Sequence, residues 1–487
     1  VSVLVLFTLL GVWLASSLVA YAGGPPWLAC IGGVLLFPVL PLWWEHRATE
    51  AFYAQLKRAT RLLPKKRALT GFTRVALRTL LINLVFLVAL VALWPKVVFA
   101  ALVTRGDWFL PPDAVLTRKV LLTTASGLEW IHTAANDNPY RTKQDEQQPV
   151  PETVKPVVAT ITTPHGSGAR WRKPDQVPDP TGLPEPEGRD STGLSEPVED
   201  GPRERTARWN IGNTTWPWPS TVHPVVAGMS ASDETSPESV ARYIASRVTD
   251  PFQRVKALHD WVVTRLRYDS AALKGRRPPQ DARSVFDART GVCEGYARLL
   301  VELGKHSGDR IVYVTGEVRE EDGSLAPIGH AWNAVEVQGA WYLLDATWDD
   351  PVMSDGSDAY RTDYLFIPPN LALMNHFPDE EEWQLEAQPM KRAEFLRQPP
   401  AMVGLAREGL AVSSFALREE LELALTNPSR VFVMIEVKPE GTKCGPSDDA
   451  SVALRCPVTS GSERAVLYVN GERDGTYGSV ATFSLKR

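Results

Sequence analysis

The sequence predicts an α+β protein on a membrane anchor. Three features predict it: three long apolar runs at the start, a central stretch where helix-spaced segments give way to strand-spaced ones, and a close made of strands alone. In full, three transmembrane helices and a disordered linker precede an α+β core, and a small all-β sandwich follows it. The expected boundaries are residues 1–105, 106–234, 235–396 and 397–487. A chain of 487 residues exceeds what one core organises. Its net charge of −5 gives no case for a nucleic-acid partner.

Val1 to Ala22 and Trp27 to Trp44 are almost free of charge, with only Gly23-Gly24-Pro25-Pro26 between them. Each is near the roughly 20 residues a bilayer-spanning helix needs. A third run, from Thr79 to Pro95 and on toward Val103, is equally apolar. Ala20-Tyr21-Ala22 resembles a signal-peptidase site, although the first run lacks a basic n-region. Between the second and third runs stand Arg47, Lys57, Arg58, Arg61, Lys65, Lys66, Arg67, Arg74 and Arg78, against Glu45 and Glu50. Such an excess marks a cytoplasmic loop. The third run is therefore expected to carry the chain outward, leaving an integral membrane protein with everything after about Arg105 extracytoplasmic.

Asp113 to Ala135 offers apolar positions for an amphipathic helix near the membrane surface. From Asn136 to about Thr235 the chain is dominated by Pro, Glu, Asp, Thr, Gly and Arg, as in Leu183-Pro184-Glu185-Pro186-Glu187-Gly188. That composition buries too little apolar surface to offset chain entropy, so a disordered spacer is expected. Trp216-Pro217-Trp218-Pro219 reads either as a patch that packs back on the folded part or as a sticky piece of linker.

Helical patterning resumes after Ser236-Pro237 and again after Asp250-Pro251, where Val255, Leu258, Val262 and Leu266 make one stripe. His259 on this helix reads as a surface or packing residue. Thr290-Gly291-Val292-Cys293 then leads into Tyr296, Leu299, Leu300 and Leu303 at helical spacing. Cys293 thus falls at a helix N-terminus, where unpaired N–H groups and the dipole favour a thiolate. Ile311 to Val318 is strand-like. Gly329-His330-Ala331-Trp332-Asn333 and Trp341 to Trp348 read as adjacent strands, with His330 and Trp332 on one face and Asp345 on the matching face. If Gln338-Gly339 is a two-residue turn, Trp332 lies opposite Asp345 and His330 one diagonal step away, ~7–8 Å between backbones. Asn333 then faces the other side and holds structure.

A free thiol with a pKa near ~8.5 is mostly protonated at neutral pH. Its use as a nucleophile needs an imidazole to take the proton and a carboxylate to fix that imidazole. Taken singly, Cys293 reads as well as a buried small hydrophobe, and the His330 strand as plain core. The three segments together, in this order, point to chemistry.

That order resembles the core of the transglutaminase-like superfamily: Gly-x-Cys before a helix, His-Ala-Trp-Asn, then Trp-x-x-x-Asp-Ala-Thr-Trp, over roughly residues 235–390. Asp363-Tyr364-Leu365-Phe366, His376-Phe377-Pro378 and Trp383-Gln384-Leu385 are similar to the kyphoscoliosis-peptidase branch. The resemblance implies a papain-like α+β fold with Cys293 as nucleophile, His330 as base and Asp345 as its orienter. It implies a cysteine peptidase, amidase or acyltransferase that works through a thioester and needs no cofactor. Relatives often hold an aromatic near the oxyanion site at the position of Tyr268, so Tyr268 joins the Cys293 backbone N–H as an oxyanion candidate. Animal transglutaminases usually carry Trp after the cysteine. Glu294 here is closer to the peptidase and glycanase relatives, and points to water over an amine as acceptor. The alternative is an inactive scaffold of the same fold that binds envelope partners. No metal site is expected, because no second His or Cys stands at ligand spacing from His330.

From about Arg397 the strand-like runs Val431 to Val437, Ala465 to Val469 and Val480 to Leu485 are separated by turns such as Asn470-Gly471. They predict the sandwich, expected to bind or position substrate. Cys30 lies in the second apolar run and Cys293 is the candidate nucleophile. Cys444 and Cys456 remain, and are expected to form a disulfide suited to an oxidising compartment. The expected substrates are proteins or peptides of the cell envelope.

Overall fold

The computed structural model describes residues 2–58, 69–111, 114–136, 138–142, 159–163, 166–167, 208–273, 275–320, 323–350, 360–398, 403–417, 420–459 and 461–485. They divide into two units, Val1–Asp137 with Lys391–Arg397, and Asn138–Met390 with Gln398–Lys486.

The first unit is helical. Ser2–Tyr21 is a helix of 20 residues, and Trp27–Leu56, of 30, and Gly71–Leu93, of 23, are long and apolar enough to cross a membrane. Each of the three expected apolar runs is thus helical. The last begins earlier than Thr79, because the Thr70 hydroxyl accepts the Thr73 N–H and caps it there. It stops at Leu93, and Pro95 opens a separate helix, Pro95–Arg105. Large apolar side chains stay exposed on the two long helices, among them Trp27, Phe72, Val85 and Val88. Glu45 pairs with Arg74 at 2.9 Å and also with Arg78, which neutralises part of the basic excess between the runs. Arg61, Lys65, Lys66 and Arg67 lie outside the described residues. Two helices, Val115–Ser126 and Glu129–Ala134, stand where one amphipathic helix was expected.

The second unit carries the α+β part. Its sheet is antiparallel, in the order Leu365–Ile367, Ala340–Leu344, His330–Val337, Arg310–Val318, His376–Pro378. Helix Cys293–Ser307 packs on the two central strands, and Pro237–Ala245 and Pro251–Arg265 pack on that helix. Every residue from His330 to Val335 is buried, so both faces of the sheet are covered. Gln338 and Gly339 have φ of 53° and 77°, the left-handed pair that a tight type I′ hairpin turn requires. Val337 pairs with Ala340 and Asn333 with Leu344. One step further along this register, Trp332 comes opposite Asp345.

The expected spacer is folded in part. Ala159–Thr163, Gly166–Ser167, Arg208–Ile211 and Thr214–Trp216 form a four-stranded antiparallel sheet. Trp209 pairs with Trp216, and both rings enter the main core. The Trp216 indole N–H donates to the Asp363 carbonyl at 3.0 Å, and that of Trp209 to the Ala406 carbonyl at 3.2 Å. Average composition hid this sheet because a few tryptophans carry its burial. Residues 168–207, including Leu183 to Gly188, lie outside the described residues.

Toward the end, two antiparallel sheets share a second core. One has the order Ala411–Leu417, Glu420–Thr426, Ser451–Pro457, and the other Thr442–Ser447, Phe432–Lys438, Arg464–Asn470, Gly478–Ser484. Alternate residues point inward, such as Leu421, Leu423 and Leu425 facing Val433, Ile435 and Val437. Cys444 and Cys456 are bonded, with Cα atoms 5.7 Å apart, and join one strand of each sheet.

Candidate active site

Cys293 is the first residue of its helix, and its thiol is free and 1% exposed. At that position the backbone N–H has no acceptor within the helix. The approach to it is held by Gln280, whose Oε1 accepts the Val292 N–H at 2.9 Å. A Cβ at Gly295 would sit 2.7 Å from that same oxygen, so the glycine makes room for the Gln280 amide. Tyr268 pairs in parallel with Gly291, which brings its ring beside the nucleophile segment. Burial, and then the charge of Cys293, push the Tyr268 hydroxyl pKa up.

His330 Nε2 lies 2.7 Å from Asp345 Oδ2. Asp345 Oδ1 accepts the backbone N–H groups of Thr347 at 2.8 Å and Trp348 at 3.3 Å. Cys293 also acts on the His330 ring through its charge and a hydrogen bond. Burial pushes the imidazole pKa down, but the charges of Asp345 and Cys293 and hydrogen bonds to both outweigh it and raise it to about 10. Trp332 stacks on the His330 ring at 5.9 Å and Trp348 lies at 5.7 Å, which fixes its plane. Asn333 points the other way and donates to the carbonyls of Ala297 and Val312, both at 3.0 Å. It ties the His330 strand to the nucleophile helix. Glu294 is the shared acid of an ionic cluster, 3.0 Å from Arg298 and 3.3 Å from Arg277.

The structure adds residues that the sequence did not assign. His376 Nε2 lies 3.0 Å from Asp345 Oδ2, and its Nδ1 lies 2.7 Å from Asn375 Oδ1. His330, Asp345 and His376 each offer a ligand atom, all within 4.8 Å of one another. This corrects the expectation that no second histidine stands near His330. His376 arrives on an edge strand, which spacing along the chain does not reveal. The three atoms are a geometric candidate for a metal ion, although both imidazoles already meet the same carboxylate oxygen. Of the two readings of His259, surface or packing, the packing one holds: it is fully buried, 3.1 Å from Asp349 and 3.6 Å from Asp260. Tyr140, from the expected spacer, is 3% exposed and packs with Val292, Cys293, Ala297, Tyr313 and Ala331. Burial, then the charge of Cys293 and a hydrogen bond to it, raise its hydroxyl pKa.

Residues 238–346 match the family model of the transglutaminase-like superfamily. The human kyphoscoliosis peptidase is 24% identical over 269 residues, covering 51% of this chain and 40% of that protein. Hillarin of Drosophila melanogaster is 22% identical over 202 residues, covering 36% of this chain and 24% of its own length. A solved structure described as a TGase aligns at a TM-score of 0.20 and 16% identity, over 25% of this chain and 34% of that one. The chain thus carries a transglutaminase-like domain. The chain is similar to these relatives over that domain and spans well under half the length of each one named here.

Proposed function

We propose that this is a membrane-anchored cysteine enzyme acting on amide bonds of cell-envelope proteins or peptides, with Cys293 as nucleophile, His330 as base and Asp345 as orienter. The carrying observation is the 2.7 Å contact between His330 and Asp345, on an imidazole whose pKa the charge of Cys293 also helps raise. His330 takes the thiol proton, and the Cys293 sulfur attacks the carboxamide carbon. The oxyanion faces the Cys293 N–H and the Tyr268 hydroxyl; losing one such donor costs ~3–4 kcal/mol of transition-state stabilisation. The C–N bond breaks as His330 returns the proton to the leaving nitrogen, and a thioester remains. Water then gives His330 a proton, attacks the thioester, and releases the acid and the thiolate. Glu294, held by Arg277 and Arg298 where animal transglutaminases place Trp, favours water over an amine. The name of the curated relative, a peptidase, supports the same choice.

In this reading the N-terminal apolar runs anchor the chain and the part after about Arg105 faces outward. The two closing sheets form a β-sandwich that positions substrate. The burial of Cys293 favours one second reading, an inactive scaffold that binds envelope partners. The test is release of ammonia or new amines from peptide amides by the full chain, with Cys293→Ala and His330→Ala expected to abolish it. Release that survives Cys293→Ala sinks the enzymatic reading. No release from the wild type or from the Tyr140 variants described next puts the scaffold first.

A further inference from the structure

We propose that the surface over Cys293 is a docking surface for the chain's own Asn138–Arg141 segment, which shuts the thiol and which any substrate must displace. The part concerning substrate rests on the reading of Cys293 as nucleophile. The segment is held by main-chain recognition. The Tyr313 hydroxyl donates to the Tyr140 carbonyl at 2.7 Å, and Arg277 to the Pro139 carbonyl at 3.5 Å. Asn138 to Arg141 form a tight turn, closed by the Arg141 N–H donating to the Asn138 carbonyl at 3.0 Å, and two consecutive carbonyls of that turn are thus bound by side chains of the cleft.

The side chains then lock it in place. Asn138 Nδ2 donates to the Gly316 carbonyl at 3.2 Å and to Asp379 Oδ2 at 3.1 Å. Its Oδ1 accepts the Tyr140 N–H at 3.1 Å, and Arg141 pairs with Glu380 at 2.6 Å. A Cβ at Gly329, the residue before His330, would lie 2.5 Å from the Asn138 amide, so the segment uses room that only glycine leaves. The Arg277 guanidinium covers the Tyr140 ring at 5.1 Å.

The Tyr140 side chain is packed in the same buried cluster as Cys293 and covers it. A scissile carbonyl needs that same space, and two groups cannot both be in contact there. The clamp is also releasable. Each of its neutral hydrogen bonds contributes little net, because water replaces it on opening. A local opening of this size lies below global unfolding.

The experiment compares alkylation rates of Cys293 by iodoacetamide in the full chain at about pH 6, where an ordinary thiol is nearly inert. Mass spectrometry of the Cys293 peptide keeps Cys30, the other free thiol, apart. Tyr140→Ala, and independently Asn138→Ala with Arg141→Ala, should raise the rate about tenfold or more, the gain when a closed state above nine-tenths is removed. Tyr140→Phe, which keeps the ring, should also raise it. A synthetic peptide copying residues 136–142 should slow labelling of the Tyr140→Ala chain again, and a scrambled peptide should not.

Equal rates in the wild type and both opened variants, at unchanged melting temperature, would overturn the proposal. So would a rate that falls in Tyr140→Phe, because Tyr140 would then be assisting the thiol. Loss of competition by the copied peptide would overturn it as well. His330→Ala separates this result from the nucleophile reading. If opening speeds labelling but His330→Ala leaves the faster rate intact, the clamp stands and the triad falls. If His330→Ala slows labelling and opening changes nothing, the triad stands and the clamp falls.

Discussion

His330 with Asp345 and His259 with Asp349 are the same chemical pair, both removed from solvent, at 2.7 and 3.1 Å. What differs is the far side of each ring. His330 feels the charge of Cys293, whereas His259 turns its Nδ1 toward Asp260, 3.6 Å away. Asp260 is further tied to Lys256 at 2.6 Å and to the Tyr360 hydroxyl, so the second network closes on itself.

The carboxylates diverge accordingly. Burial pushes Asp345 up, yet the charge and hydrogen bond of His330 and the hydrogen bond of His376 hold it well below the carboxylate range. Burial prevails at Asp349 and pushes it up to about 6 despite His259. A buried imidazole–carboxylate pair is therefore an architectural part until its outer nitrogen meets a reactive atom. Here the architectural pair serves the other one. The Asp349 side chain accepts the Tyr364 N–H at 3.0 Å, and the Tyr364 carbonyl accepts the Asp345 N–H at 3.1 Å.

The sharpest break of this comparison is Asp345→Asn. It should lower kcat for amide release by about 10³–10⁴-fold while the protein stays folded, as loss of an orienting carboxylate does. A loss below tenfold would put His330 and Asp345 in the same structural class as the second pair. Next in size, His259→Ala should cost about 3–5 kcal/mol in chemical unfolding, since it strands buried carboxylates. A cost under ~1 kcal/mol, within the range of an ordinary surface change, would mean the network carries little.

The smallest effect is on the pH dependence of melting. His330 is raised to about 10 from an unfolded value near 6.5. Its contribution is fully present below ~6.5 and is lost as pH rises through about 10. Asp349, raised to about 6, contributes below its unfolded ~3.9 and loses that contribution as pH climbs through 6. Asp345, depressed, contributes above ~3.9 and loses it as pH falls. His330→Gln should flatten the alkaline limb alone, and Asp349→Asn the limb between ~4 and 6 alone. Exchange of those two outcomes would reverse the roles assigned to the pairs.

The site was legible where local rules fix it. Helical spacing after Gly291 put Cys293 at a helix start, and the Gln338-Gly339 turn set the register that brings Trp332 opposite Asp345. Residues joined across the fold were not legible. His376 reaches Asp345 from an edge strand that pairs with Arg310–Val318, on the far side of the sheet from the Asp345 strand. Tyr140 reaches Tyr313 from 173 positions away, inside a polar stretch whose average composition reads as spacer. His259 sits on a stripe whose periodicity says which face is buried, but not that a carboxylate waits there. Burial at these places is bought by single large or charged side chains, which pattern counting weighs lightly.

The hairpin turn also sets a rule for growth of the chain. A hairpin tip is ordinarily a place where a protein tolerates added residues. Here His330 and Asp345 are separated by 15 positions through that tip. Side chains alternate, so one added residue at Gln338-Gly339 would turn the carboxylate to the opposite face of the sheet. Two added residues would restore the face but slide the carboxylate about 7 Å along the strand, beyond hydrogen-bonding reach. The loop is a ruler with a parity, and its length is as specified as any side chain it positions.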